Sequence, residues 1–130
     1  QEEEIGYDSD GSILYKFKYE YDEKGNEVER ISYDSDGSIL SKYKYEYDEA
    51  GNKVEMISYN SDGRIDWKNT FEYDEEGNKV EIISYDSDGS IDYKETYEYE
   101  YDMEKNWTRR ITFKDDVATT IEEREYEYYD

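Results

Sequence analysis

Two kinds of side chain in this sequence stand at spacings that could do chemistry. Aspartates come first. Asp8-Ser9-Asp10-Gly11 recurs as Asp34-Ser35-Asp36-Gly37 and Asp86-Ser87-Asp88-Gly89, with Asn60-Ser61-Asp62-Gly63 as a near copy. Oxygen-rich loops of this kind hold hard cations, calcium above all. Asp8, Asp10, Asp34, Asp36, Asp62, Asp86 and Asp88 are therefore the candidate metal ligands. A complete EF-hand loop also needs a closing glutamate at a fixed distance from its glycine. That position is Phe17 in the first copy and Tyr43 in the second. Capping of each turn by its own aspartate is the simpler use of these carboxylates. Weak cation association along the acidic rim accompanies it. Aromatic rings near carboxylates come second. Tyr19, Tyr43 and Trp67, with Glu29, Glu55 and Glu81, form the candidate ligand-binding set. Rings can stack on a sugar while carboxylates bond its hydroxyls. Catalysis is not expected. The chain has no His and no Cys, which removes the usual nucleophile–base constellations. Carboxylates are so abundant that a glycosidase-like pair exists at any chosen separation and means nothing. No cofactor is implied beyond the weak calcium reading.

A tandem repeat must position these residues. Tyr-Asp-x-x-Gly stands at 7–11, 21–25, 33–37, 47–51, 73–77 and 85–89, with an Asn variant at 59–63. The spacing alternates between 14 and 12, so two motifs make a unit of 26 residues. A unit of this length is one supersecondary element that buries its apolar side only by stacking on its neighbours. Between the motifs the apolar period is two, the mark of a strand. Ile13, Tyr15, Phe17, Tyr19 and Tyr21 alternate with Lys16, Lys18 and Glu20. Proline is absent, so nothing interrupts a ladder. Asp-x-x-Gly suits a type I turn closed by a left-handed glycine in a G1 bulge. That turn sets Tyr21 opposite Glu27. Counting back, Tyr19 is expected opposite Glu29, Phe17 opposite Ile31, and Tyr15 opposite Tyr33. Isoleucine and the aromatics then share one face. The other face carries Lys, Glu, Ser and Thr, with Leu14, Val28, Leu40 and Val54 as exceptions. Lys16, Lys42, Lys68 and Lys94 form a row on it, paired with acids across strands.

The expected fold is all-β: an antiparallel up-and-down meander of about ten strands in one domain, 1–130. Its repeats cover 7–32, 33–58, 59–84 and 85–112, with a capping strand in 113–130. The 14/12 alternation implies a strand tilt of about 35°, which favours closure into a barrel. An open, coiled single sheet is the alternative. The fourth unit is two residues longer, through 97–101. An even insertion preserves facing, so Trp107, Arg109, Ile111 and Phe113 are expected on the aromatic side. Lys105 stands where glycine belongs, and Asn106 is the expected left-handed residue.

Composition narrows the partners. Eighteen tyrosines compensate for few aliphatic residues. The formal charge of −22 excludes the ordinary nucleic-acid binder and disfavours anionic membrane surfaces. No apolar run is long enough for membrane insertion.

Tyr-Asp-x-x-Gly followed by an alternating strand resembles the YD repeats of Rhs-type bacterial surface and secreted proteins. The segment 101–111 is similar to the closing stretch of other repeat-containing bacterial secreted proteins. MORN-like repeats also mix Tyr and Gly at hairpins. Ser-Ile, Arg-Ile or Asn-x-Val follows the glycine here, in place of the Arg-Leu common in YD repeats, and the units are shorter. The resemblance implies an extracytoplasmic hairpin scaffold, secreted or at a bacterial cell surface, with no catalytic residue. The expected function is a non-enzymatic scaffold or surface-interaction module for a protein or glycan partner. It would be a monomer or a weak edge-mediated oligomer. A small-ligand binder, for glycan or calcium, is the alternative. An acidic decoy or immunity protein for a basic partner is a further one.

Overall fold

Every turn along the meander but the last closes the same way. Gly11 donates its N–H to the Asp8 carbonyl at 3.1 Å, and Asp8 donates its own to the Ser12 carbonyl at 2.9 Å. The same two bonds recur at 22–26, 34–38, 48–52, 60–64, 74–78, 86–90 and 102–106. This is the type I turn with G1 bulge that the motif predicts. The seven turn glycines sit at φ between 76° and 88°. In the eighth turn Lys105, not Asn106, is left-handed, with φ 64°. The position in the turn, rather than the residue type, decides which backbone is twisted. The last connection is different. Asp115 and Asp116 both have positive φ, 49° and 65°, as a two-residue hairpin loop requires.

The computed structural model describes residues 1–128. Its ten strands are β1 (Glu2–Tyr7), β2 (Ile13–Tyr21), β3 (Glu27–Tyr33), β4 (Ile39–Tyr47), β5 (Lys53–Tyr59), β6 (Ile65–Tyr73), β7 (Lys79–Asp86), β8 (Ile91–Tyr101), β9 (Trp107–Lys114) and β10 (Val117–Glu123). They form one antiparallel sheet in chain order. The capping segment contributes β10, and its last residues, Tyr129 and Asp130, lie outside the described residues.

A second bulge in each of the first eight hairpins overturns the expected register. Tyr21 does face Glu27, but Glu20 then faces Glu29, which leaves Val28 unpaired. Tyr19 therefore meets Arg30, Phe17 meets Ser32, and Lys16 meets Tyr33. The same slip skips Leu14, Leu40, Val54, Asp66, Val80, Asp92 and Thr108. Each extra residue moves everything beyond it to the opposite face. Leu14, Val28, Leu40 and Val54, the exceptions on the polar face, are the bulged residues themselves. In the fourth unit Trp107 faces Tyr101, but Arg109 faces Glu100 and Ile111 faces Glu98. Arg109, Ile111 and Phe113 are thus not on the aromatic side.

Neither face is uniformly apolar as a result. One carries aromatic rows from β2, β4, β6 and β8, separated by residues such as Arg30, Ser32, Met56, Ser58 and Ser84. The other carries Ile31–Tyr33, Ile57–Tyr59 and Ile83–Tyr85, separated by lysine-bearing strands. The barrel expectation rested on the strand tilt implied by the 14/12 alternation, together with a single apolar face that had to be enclosed. With that face divided, the sheet stays open. Among the described residues only strands adjacent in sequence touch, and β1 and β10 are the edges of the sheet.

Packing is confined to one layer. Among the described residues only Tyr45, Ser58 and Ser84 are buried, at 7%, 4% and 8% exposure. Ser58 disappears because Tyr43 and Trp67 flank it from the two adjacent strands, their rings 6.2 Å apart. Cations replace a second layer over other rings. Lys53 Nζ lies 4.1 Å from the Tyr45 ring centre and Lys79 Nζ 4.5 Å from that of Phe71. Such contacts contribute about 0.5–1 kcal/mol each where water is near.

Candidate functional site

The second bulge divides the aromatic and acidic candidates between faces. Tyr19, Tyr43 and Trp67 lie on one side, while Glu29, Glu55 and Glu81 lie on the other. Lysine captures each of these acids. Lys42 stands 2.8 Å from Glu29, Lys68 2.7 Å from Glu55, and Lys94 2.5 Å from Glu81. Hydrogen bonding to Glu55 and Glu81 raises the Lys68 and Lys94 ammonium groups above their ordinary values. Glu3 begins the same ladder with Lys16 and Lys18, both at 3.3 Å. The structure therefore brings together a ring row and a separate salt-bridge row, not a sugar site built from both.

The acidic turns spend their oxygens locally. Asp8 Oδ1 accepts the Asp10 N–H at 2.7 Å, and Asp10 Oδ1 accepts the Ser12 N–H at 2.8 Å. Asp34 and Asp36 both accept from the Ser38 N–H, at 3.0 and 2.9 Å. Asp62 reaches the Asn60 carboxamide through its own N–H, and Asp88 accepts from Ser90. Asp86 contributes its carbonyl to the turn bond from Gly89. Bonding by Asp8 and Ser12 holds the Asp10 carboxyl at about 2. Ser38 and Asp34 lower that of Asp36, and Ser90 lowers that of Asp88. Among the described residues no three His, Cys, Asp or Glu side chains are grouped to hold a metal ion.

The opposite end of the sheet holds a constellation that residue types alone did not single out. Its turns end in asparagine rather than serine: Asn26, Asn52, Asn78 and Asn106. In the first two, asparagine closes a bracket with aspartate. Asn26 Nδ2 donates to Asp22 Oδ2 at 2.9 Å, and Asn52 Nδ2 to Asp48 Oδ2 at 3.0 Å. Those bonds, with the asparagine backbone N–H, hold Asp22 and Asp48 below the usual carboxylate range. In the third, a phenol enters the bracket. Tyr101 donates its hydroxyl to Asp74 Oδ2 and accepts from Asn78 Nδ2 at 3.1 Å. The fourth repeats this with Tyr128, which donates to Asp102 and accepts from Asn106 Nδ2 at 2.8 Å. Burial, followed by the Asp74 bond, pushes the Tyr101 phenol up; the Asp102 bond leads for Tyr128.

A tyrosine ladder supports these brackets. The hydroxyls of Tyr47, Tyr73 and Tyr99 each donate at 2.8 Å to a backbone carbonyl, on Glu27, Lys53 and Lys79 respectively. Each bond spans 20 residues and recurs one unit later. Above the first two brackets lie open grooves of about 490 and 610 Å³. The sequence signals were present: asparagine after the glycine in alternate turns, and the added Glu100-Tyr101.

No protein-family model and no curated protein matches this chain. Among solved structures it overlaps parts of far longer chains. The Photorhabdus luminescens Tc holotoxin pore aligns at 14% identity and TM-score 0.31, over 92% of this chain and 9% of the other. A TcdB2-TccC3 complex lacking its hypervariable C-terminal region aligns at 15% and 0.32, over 86% and 9%. A GtfA/B complex bound to UDP and GlcNAc aligns at 18% and 0.31, over 84% and 24%. This chain thus spans between about a tenth and a quarter of their lengths.

Chemically, the described surface can bind but offers little enclosure. The residues that approach a site are hydrogen-bonding brackets beside stacked rings. That arrangement can hydrogen-bond a hydroxyl while a ring stacks beside it, as it does for Tyr101 and Tyr128.

Proposed function

We propose that the chain is a non-enzymatic repeat scaffold, a surface-interaction module of a secreted or cell-surface bacterial protein. One observation carries this reading. Among the described residues all ten strands lie in a single layer in which only chain neighbours touch, which leaves both faces and the grooves between turns open. Each unit adds two strands and another copy of the same turn chemistry, which is how solenoid-like arrays extend a binding surface. The YD-like motif supports a place outside the cytoplasm. The strong negative charge keeps free edges of neighbouring molecules apart. The glycan alternative, as framed on Tyr19 with Glu29 and their counterparts, has its two halves on opposite faces.

Duplicating residues 33–58 in phase tests the reading. Small-angle scattering should show the particle lengthened by about two strand spacings, roughly 9.6 Å, with one cooperative melt. A particle of unchanged length, or a chain that no longer folds, would overturn it.

A further inference from the structure

We propose that the two open grooves, over the Asp22–Asn26 and Asp48–Asn52 brackets, are docking sites for a tyrosine side chain on a basic segment of a partner protein. This deepens the scaffold reading and rests on it. The chain itself shows what such a groove accepts. Tyr101 stacks on Tyr99 with ring centres 5.9 Å apart and planes at 29°. Its hydroxyl enters the Asp74–Asn78 bracket. Tyr128 stacks on Tyr126 at 6.4 Å and 27°, with its hydroxyl in the Asp102–Asn106 bracket. The same phenol is held the same way twice, by a platform ring behind and a bracket ahead.

The first two brackets have the platform but not the guest. Tyr47 and Tyr73 match Tyr99, since all three make the same bond to a carbonyl 20 residues back. After Tyr47 and Tyr73 the chain turns at once into Asp48 and Asp74. Strand β8 instead continues through Glu100 and Tyr101. Nothing in β4 or β6 therefore corresponds to Tyr101, and open grooves stand in its place. The first is lined by Asp22, Asn26, Val28 and Tyr47, the second by Asp48, Asn52, Val54 and Tyr73.

The exchange on binding is favourable in kind. At present Asn26 donates directly to Asp22, and Asn52 to Asp48. A guest hydroxyl would donate to the carboxylate and accept from the amide, as Tyr101 does. The single amide–carboxylate bond is replaced by two, one from the phenol to the carboxylate and one from the amide to the phenol. Charge selects the flanks of the guest. Four carboxylates and one ammonium line the first groove; five carboxylates line the second, of which Glu76 is paired with Lys105 at 3.1 Å. Lysine or arginine beside the tyrosine complements both. The single ammonium is Lys24, which already reaches across to the Glu49 carbonyl at 3.3 Å. Its counterpart in the second groove is Ala50, so the second groove is the tighter site.

The test follows the side-chain amide signals of Asn26, Asn52, Asn78 and Asn106 in the isotope-labelled full chain at low salt. The probes are the acetylated, amidated tripeptides Lys-Tyr-Lys and Lys-Phe-Lys. The tyrosine peptide should shift Asn52 and then Asn26 saturably, several-fold more tightly than the phenylalanine peptide. Asn78 and Asn106, already occupied, should stay still. Equal titration by both peptides would mean charge attraction alone and would overturn the proposal. So would an absent response, or one shared by all four amides. The wild-type titration decides by itself; in Tyr101→Ala, Asn78 should join the responding set. A null result removes the tyrosine sites but leaves the length of the duplicated array, and hence the scaffold reading, untouched.

Discussion

Lys105 shows what a single left-handed residue costs. Seven equivalent positions hold glycine, which meets no steric penalty at positive φ. A side chain there carries strain of about 1–2 kcal/mol. Lys105 gains in return only an exposed ion pair with Glu76 at 3.1 Å, a kind of contact worth little. Lys105→Gly should therefore raise stability by about 0.5–1 kcal/mol, read as a higher urea midpoint with an unchanged slope. The tyrosine ladder makes a second residue-scale prediction. Burial raises the phenols of Tyr47 and Tyr73 above their ordinary values. A raised folded value means that stability is fully present below the unfolded value, about 10, and is lost as pH climbs through the folded one. The chain should thus melt at lower temperature above about pH 10. The Tyr47→Phe, Tyr73→Phe double variant should start lower and fall less steeply. An equal fall in both proteins would remove these two hydroxyls from the account.

At the scale of the element, the turns were legible and the register was not. Glycine at a fixed place after aspartate specifies a turn through backbone sterics alone, so the sequence places the seven glycine hairpins correctly. The register depends on one residue per hairpin, and a bulge adds a residue without any obligatory type. Its trace was the run of exceptions at Leu14, Val28, Leu40 and Val54. These apolar residues on a nominally polar face marked the places where facing changes. The candidate set built on Glu29, Glu55 and Glu81 fell with the register. The Asp–Asn brackets were missed because asparagine after glycine reads as ordinary turn chemistry. Bulges make an unusual prediction about deletions. Leu40 is 56% exposed, so Leu40→Ala should cost no more than about 0.5 kcal/mol. Removing Leu40 altogether would force the rest of β4 onto the wrong face and should abolish cooperative melting. Removing all 26 residues of 59–84 keeps every face in phase and should leave a shorter sheet that still melts cooperatively. Calorimetry on the three variants ranks them; a single-residue deletion milder than the unit deletion would contradict the bulge assignment.

For the molecule as a whole, charge opposes folding and a single layer gives little to offset it. With a formal charge of −22 the folded sheet concentrates repulsion that the extended chain spreads out. Lysine rows on Glu29, Glu55 and Glu81 relieve only part of it. Raising sodium chloride from about 10 mM to about 0.5 M, which shortens the Debye length several-fold, should raise the melting temperature. A protein held mainly by its surface ion pairs would show the reverse.

The strand order carries a consequence for time rather than energy. All-β proteins ordinarily fold slowly, because their strands must find partners far away along the chain. Among the described residues no paired strand positions lie more than 19 apart, and every ladder is a hairpin with its own turn. Loop-closure entropy is then nearly the same for each step and never large. Refolding can begin at any of the glycine turns and spread outward in both directions. The sheet should refold on the timescale of helical bundles, milliseconds or faster, with no single hairpin whose mutation governs the rate.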